Sequence, residues 1–392
     1  MLNNRWLILI VLLVARATMG FQFQAVPSVA PLIMKSLHLN YTQLGLLAGV
    51  YMLPGVFLAV PGAFTGSFLG DKRAVLIGLA MMTLGGAAMA VSPSLAYAMA
   101  ARAVGGTGAI LLNIHVTKMV TEWFAGREMS TALALLMTTW PGGLALGLAV
   151  EGPVAAHYSW EAASAASALF PLLAMLLVAW LYRDAPDAAR VSRGQGVSHL
   201  RLNRAELKSA LGAGAMWMIF NGGFIILVTF APIYLVEQGV PLSEAGLLSS
   251  ILPWILIGSV SLGGYLADRT GKPHWIITTG TIATALFSWS LAWVPVPLVA
   301  FVLIGATLGL SVGPLTMIGA NAVPAARRAV GLGIFFTGFY IAMAVSPSIA
   351  GYIQDVTKRG AVTLGFGGGL VLLTAFGLAG FRRMRGVAEV DA

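Results

Sequence analysis

The stretch Gly264-Tyr265-Leu266-Ala267-Asp268-Arg269-Thr270-Gly271-Lys272 lies between two long apolar runs, and charge, glycine and a tight turn coincide in it. A degraded copy, Gly66-Ser67-Phe68-Leu69-Gly70-Asp71-Lys72-Arg73, stands at the equivalent place in the first half of the chain. The copy keeps its aspartate and two cations, but Ser67 replaces the first glycine and Ala74 the later one. A second correspondence supports duplication. Ala30-Pro31 followed by Gly45-Leu46-Leu47 recurs, at the same spacing, as Ala231-Pro232 followed by Gly246-Leu247-Leu248. From there to the loop aspartate the first half is longer by about one helical turn. The chain reads as two related halves.

Composition sets the solvent. The chain is 58% hydrophobic and 9% charged, whereas soluble domains carry about 25% charged residues. Apolar runs of about 20 residues recur along its length, which calls for a bilayer. In lipid every backbone polar group must be satisfied internally, which leaves helices or a closed barrel. The runs are too long and too uniformly apolar for barrel strands. The expected class is an all-α membrane protein with twelve transmembrane helices in two six-helix pseudo-symmetric bundles. The expected spans are 6–34, 42–69, 73–91, 94–120, 128–150 and 160–182, then 209–235, 243–266, 274–293, 297–320, 328–349 and 362–381. Residues 1–182 and 209–392 form the two bundles, and 183–208 is a cytoplasmic linker. The end of that linker, Arg201 to Lys208, reads as a short interfacial helix or as a solvated charged loop. Residues 5–20 resemble the core of a signal peptide, but Arg16 interrupts it and no clear cleavage site follows, so an uncleaved first helix is expected.

The net charge of +9 is a topology signal. With the N-terminus inside, the cytoplasmic side holds Arg5, Lys72, Arg73, Lys118, Arg127, Arg183, Arg190, Arg193, Arg201, Arg204, Lys208, Arg269, Lys272, Arg327, Arg328, Arg382, Arg383 and Arg385. The outer side holds Lys35, Lys358 and Arg359. Cationic residues concentrate in cytoplasmic loops, so both termini are expected in the cytoplasm of a bacterial inner membrane. The basic balance faces anionic lipid, and no nucleic-acid partner is expected. There is no cysteine, which excludes disulfides, thiolate metal sites and a cysteine nucleophile. No phosphate loop, dinucleotide fingerprint or His-Glu-x-x-His is present. Neither enzymatic activity nor a cofactor or metal is expected.

Carboxylates are all placed near one membrane face or the other, Glu151 among those on the outer side. Two cations remain within spans, Arg16 and Arg102. Arg16 lies about 15 Å into the first helix. A charge there costs about 2.5–3.5 kcal/mol on insertion scales, so it faces a cavity or a partner. It is read as an anion-binding arginine, or as a structural arginine satisfied by helix carbonyls and polar neighbours. Helical spacing places Gly20 and Phe23 on its stripe, with Gln24 beside it and Gln22 pointing away. Arg102 shares a stripe with Asn113. His115 and Lys118 lie on another: Lys118 is expected to snorkel, and His115 to act as a proton relay or as a hydrogen-bonded packing residue. Trp140, Asn221, Phe224, Trp254 and Tyr340 fall near mid-depth and suit a moderately apolar cavity. Asp268 ends a helix, where it can accept from the N-terminus of a neighbouring one.

The clean loop matches G-x-L-a-D-r-x-G-r/k, and Arg102-Ala103-Val104-Gly105-Gly106-Thr107-Gly108-Ala109 matches R-x-x-x-G-x-G-a. On these residues the chain resembles the secondary transporters of the major facilitator superfamily. Trp123-Phe124-Ala125-Gly126-Arg127-Glu128 and the run Gly45 to Gly62 are similar to the cyanate permease and nitroimidazole transporter group. Trp140-Pro141-Gly142-Gly143 departs from the fifth-helix pattern of drug antiporters. The resemblance implies alternating access around a central site between the halves, with Arg102 tied to the cavity and to proton coupling. It also implies a conformational latch made of Asp71, Arg73, Gly264, Asp268, Arg269, Gly271 and Lys272. The expected cargo is a small organic or inorganic anion held by Arg16 and Arg102, moved by a monomer. An efflux carrier for neutral or drug-like compounds is the alternative, and a membrane-embedded enzyme or sensor a remote one.

Overall fold

The computed structural model describes residues 4–59, 61–125, 128–185, 202–293, 297–324 and 327–390, and among these there are helices and no strands. Most of the expected linker, including Arg190, Arg193 and Arg201, lies outside the described residues.

Helix α1 (Arg5–Gln24) stops well short of the expected end of the first span. Pro27 has no N–H to give the Phe23 carbonyl four residues earlier. A 3₁₀ turn, Pro27–Val29, follows and leads into α2 (Ala30–Leu37). The second expected span is also broken, into α3 (Tyr41–Gly49), α4 (Leu53–Leu58) and α5 (Gly62–Leu69). Pro54 and Pro61 each remove a backbone donor from that run. The remaining first-half helices are α6 (Asp71–Ala90), α7 (Leu95–Trp123), α8 (Met129–His157) and α9 (Trp160–Leu181). Helix α8 runs through Pro153 to His157, well past the expected boundary at 150.

Helix α10 (Arg204–Glu237) is continuous. Arg204 to Lys208 therefore form its first turns rather than a separate interfacial helix. An Asn203/Glu206 capping box starts it, satisfying donors that have no helical partner. Then come α11 (Leu242–Thr270), α12 (Pro273–Ser290), α13 (Pro297–Ala320), α14 (Arg328–Thr357) and α15 (Gly360–Val390).

Among the described residues eleven helices, α3 and α4 counted as one, are long and apolar enough to cross a membrane. Helix α12 occupies the ninth expected span, 274–293, but is rich in threonine and serine. Thr279, Thr281, Thr284 and Ser288 each donate to the carbonyl four residues earlier, at 2.7 to 2.8 Å, so the polar side chains are satisfied within the helix.

The described residues divide into two units. The first comprises Met1–Leu39, Val50–Val197 and Leu242–Leu247, the second Asn40–Gly49, Ser198–Pro241 and Leu248–Ala392. In the first, α6 packs along α7 and α9, and α1 along α8 and α9. In the second, α12 packs along α13 and α15, and α10 along α14 and α15, with α3 also on α14. The pairing is the same in both, which is the duplication seen from inside each unit. Large apolar side chains such as Phe57, Leu84, Trp180, Trp293 and Phe376 point outward, as a lipid solvent requires.

Candidate functional site

The polar groups buried in the first unit gather at four places. The first is Arg16, in the middle of α1 and 8% exposed. Its Nε donates to Asn113 Oδ1 on α7 at 2.8 Å, and its Nη1 donates to Thr139 Oγ1 at 2.9 Å and to the Leu136 carbonyl on α8. Asn113, expected on the wall of Arg102, is paired with Arg16 instead. These three acceptors are uncharged and come from two helices.

The second place is Arg102, 3% exposed. Its Nη1 donates to the Gln22 carbonyl at 2.6 Å and its Nη2 to the Phe23 carbonyl at 3.1 Å. These carbonyls belong to the last turn of α1: the Gln22 carbonyl also accepts from the Ala25 N–H at 3.3 Å, and Pro27 is the residue that leaves Phe23 open. A cation at a helix C-terminus also meets the negative end of the dipole. Arg102 also lies over the Tyr51 ring, 4.5 Å from its centroid. Tyr51 donates to Gln22 Oε1 at 3.2 Å, while Gln22 Nε2 donates to the Met82 carbonyl at 2.8 Å. Gln22, Tyr51, Arg102, Gly105 and Ser167 line a cavity of ≈ 10 Å³, the size of about one water molecule. Arg102 therefore caps α1, and no space for a cargo adjoins it in this cavity. Gln22, which helical spacing points away from the Arg16 stripe, meets Arg102 instead.

Aromatic rings wall the same region. Phe23 is fully buried, with ring centroids 6.1 Å from Tyr51 and 5.7 Å from Trp140. Gly20 marks a helix crossing rather than an opening: a Cβ there would lie 2.6 Å from the Trp140 carbonyl.

The third place is a charge network where α5, α6 and α7 meet. Asp71 Oδ1 is 2.7 Å from His115 Nδ1, Asp71 Oδ2 is 2.7 Å from Lys118 Nζ, and Thr65 Oγ1 is 2.7 Å from His115 Nε2. Lys118 also approaches Glu122 at 3.7 Å. Lys118, expected to snorkel, is paired with both of these acids. A single glycine decides which copy of the loop motif acquires partners. Gly70 (φ 81) ends α5 one residue before the aspartate, so Asp71 opens α6. In the other copy α11 continues through Asp268 to Thr270 and Gly271 (φ 63) closes it. Asp268 is exposed in the last turn, and among the described residues it makes no hydrogen bond or ion pair. Arg269 donates to the Tyr265 hydroxyl at 2.7 Å, whereas Arg73 and Lys272 are exposed and Gly264 lies within α11. The charge network is built on the degraded copy of the motif.

The fourth place is Glu151 on α8. The sequence put it near the outer face; it is fully buried. It feels Arg102 electrostatically and faces the Ser28 hydroxyl, though neither carboxylate oxygen closes a hydrogen bond. Gln24, also fully buried, lies against α8 at Gly147, and its amide has no hydrogen bond either. The signal for Glu151 was present: it is the one acid between Met129 and His157. The early helix boundary hid it.

The remaining expected residues lie in the second unit. Asn221 and Phe224 are buried on α10, and the Asn221 amide donates to the Trp217 carbonyl of its own helix at 2.8 Å. Tyr340 is buried on α14 beside Phe339, while Trp254 on α11 is exposed.

Among the described residues, long apolar helices with a buried arginine and a capped helix break are those of a polytopic membrane protein. The Major Facilitator Superfamily profile matches residues 12–347, and the chain belongs to that family. It is 22% identical to the hexuronate transporter of Bacillus subtilis over 62% of this chain and 60% of that protein. It is also 22% identical to the probable sulfoacetate transporter of Cupriavidus necator, over 84% and 82%. Among solved structures the xylose transporter of E. coli superimposes with a TM-score of 0.76 at 14% identity, covering 95% of each chain. That likeness is one of fold.

Proposed function

We propose that the chain is a secondary transporter that moves a small organic anion across the plasma membrane by alternating access, with both termini cytoplasmic. The observation that carries the reading is Arg16, a guanidinium in the middle of a span held by Asn113, Thr139 and a carbonyl. Charge-assisted bonds are about twice as strong as neutral ones. An arriving carboxylate or sulfonate therefore gains more from the fork than the neutral acceptors do. Relatives named for hexuronate and sulfoacetate, both anions, support this cargo class. The excess of Lys and Arg on one side of the spans supports the orientation.

The test is flux in proteoliposomes of the purified chain. Labelled glucuronate and sulfoacetate should enter saturably and compete with one another, and xylose should do neither. Uptake of xylose with exclusion of both anions overturns the reading.

A further inference from the structure

Three polar side chains along one seam of the first unit are fully buried and have no hydrogen bond: Gln24 near the end of α1, Ser28 in the 3₁₀ turn, and Glu151 on α8. Gln24 packs at Gly147, one turn before Glu151, and the Ser28 backbone lies beside Gly152. Close packing between α1 and α8 does not call for an acid here. An ionised carboxylate with no donor is costly in a dry interior, whereas a neutral acid needs a single acceptor. Arg102 is the charge that feels Glu151, but its guanidinium is committed to the Gln22 and Phe23 carbonyls and the Tyr51 ring. Tyr51 is the other titratable group in electrostatic range. On the remaining packed elements, Glu161 opens α9 and is half-buried, and Glu244 on the first turn of α11 is exposed. That first turn, Leu242–Leu247, belongs to this unit and covers the seam: the Leu242 carbonyl lies against Gly152, and Gly246 against the Leu148 carbonyl. These contacts are to backbone, beside Ser28 and one residue from Glu151.

We propose that Glu151 is the proton-binding residue that couples cargo movement to a proton gradient. The proposal rests on the transporter reading and adds to it the driving ion and its site. As a neutral acid Glu151 donates to Ser28. On release its O–H bond breaks, the electron pair stays on the carboxylate, and the proton passes to water. The carboxylate is then drawn toward Arg102. His115, the other candidate relay, belongs to the separate Asp71 network.

The test begins without any cargo. Infrared difference spectra of the detergent-purified full chain, titrated through neutral pH, should contain a carboxylic-acid C=O band that is lost in Glu151→Gln. In Ser28→Ala that band should move to higher frequency, because the acid loses its acceptor. Identical difference spectra for wild type and Glu151→Gln overturn the proposal, as does a band unmoved in Ser28→Ala. In proteoliposomes, Glu151→Gln should lose proton-driven glucuronate accumulation by at least about tenfold, the scale of a typical coupling free energy. Glucuronate counterflow should meanwhile persist. Equal loss of both fluxes, in a variant that unfolds at the wild-type temperature, overturns the coupling role. A titrating band in a wild type that moves neither glucuronate nor sulfoacetate upholds the proton site and sinks only the transporter reading.

Discussion

His115 on α7 meets Asp71, the first residue of α6, at 2.7 Å, with the histidine ring fully buried and its other nitrogen 2.7 Å from Thr65. The same aspartate reaches Lys118, which is about a third exposed. The two halves of this network should carry different weights. Removing a buried hydrogen-bonded group strands its partners, at about 1–3 kcal/mol. A part-exposed ion pair is worth about 1 kcal/mol or less. His115→Ala should therefore lower the unfolding temperature more than Asp71→Asn, which keeps an acceptor for the ring. Thermal unfolding followed by tryptophan fluorescence gives the order, and the reverse order removes the network's assigned hierarchy.

Arg16 supplies a prediction about geometry rather than charge. Lysine keeps the positive charge but lacks the planar fork that spans Asn113, Thr139 and the Leu136 carbonyl at once. Arg16→Lys should raise the KM for glucuronate by about tenfold, equivalent to about 1.4 kcal/mol, and Arg16→Gln by more. Thr139→Val, which removes one neutral acceptor, should change KM little. A KM in Arg16→Lys equal to that of wild type shows that the fork does not touch the cargo.

The large-scale order was legible because apolar runs, breakers and the repeated loop are local signals. Arg102 shows why the rest was not. Its role depends on Pro27, far away in the chain, which leaves the Phe23 carbonyl open; only the packing of α7 on α1 brings the donor to the vacancy. Gln22 was set off the Arg16 stripe by ideal helical spacing, and it still meets partners because α1 is enclosed by α7, α8 and α9, so more than one stripe is buried. The end of the fifth span was set too early for a simpler reason. Proline inside a membrane helix is tolerated, so α8 passed through Pro153 and carried the acid nearly two turns inside its end.

Glycines recur within the apolar runs, and the structure separates a position where one is needed from a position where it is not. A Cβ on Gly106 would lie 1.9 Å from the Tyr51 carbonyl, a backbone atom that cannot swing aside. Gly106→Ala should cost about 1–3 kcal/mol or more, as overpacking does. Gly258, exposed on α11, has nothing within 4 Å of the same atom. Gly258→Ala should be neutral, or stabilising by up to about 1 kcal/mol from helix propensity. Unfolding midpoints of the pair test the contrast, and equal midpoints contradict the close approach.

Asp355, near the end of α14, caps α3 in the second unit. Its Oδ1 accepts from the Tyr41 backbone N–H at 3.0 Å, and its Oδ2 from the Thr42 N–H at 2.8 Å and hydroxyl at 2.6 Å. Tyr41 and Thr42 open α3, where helical donors have no internal partner and a negative charge meets the positive end of the dipole. Asn40 and Gln43 exchange a reciprocal pair of bonds at the same end, so the helix start does not depend on the aspartate alone. Asp355→Asn keeps an amide oxygen but turns an N–H₂ toward donors, and should cost about 1–2 kcal/mol. The loss should be local. Hydrogen exchange of the Tyr41–Gly49 amides should speed up, while the amides of α10 keep their wild-type rates. Unchanged exchange across α3 would mean that the Asn40–Gln43 pair holds the helix start by itself and that the carboxylate of Asp355 adds nothing to it.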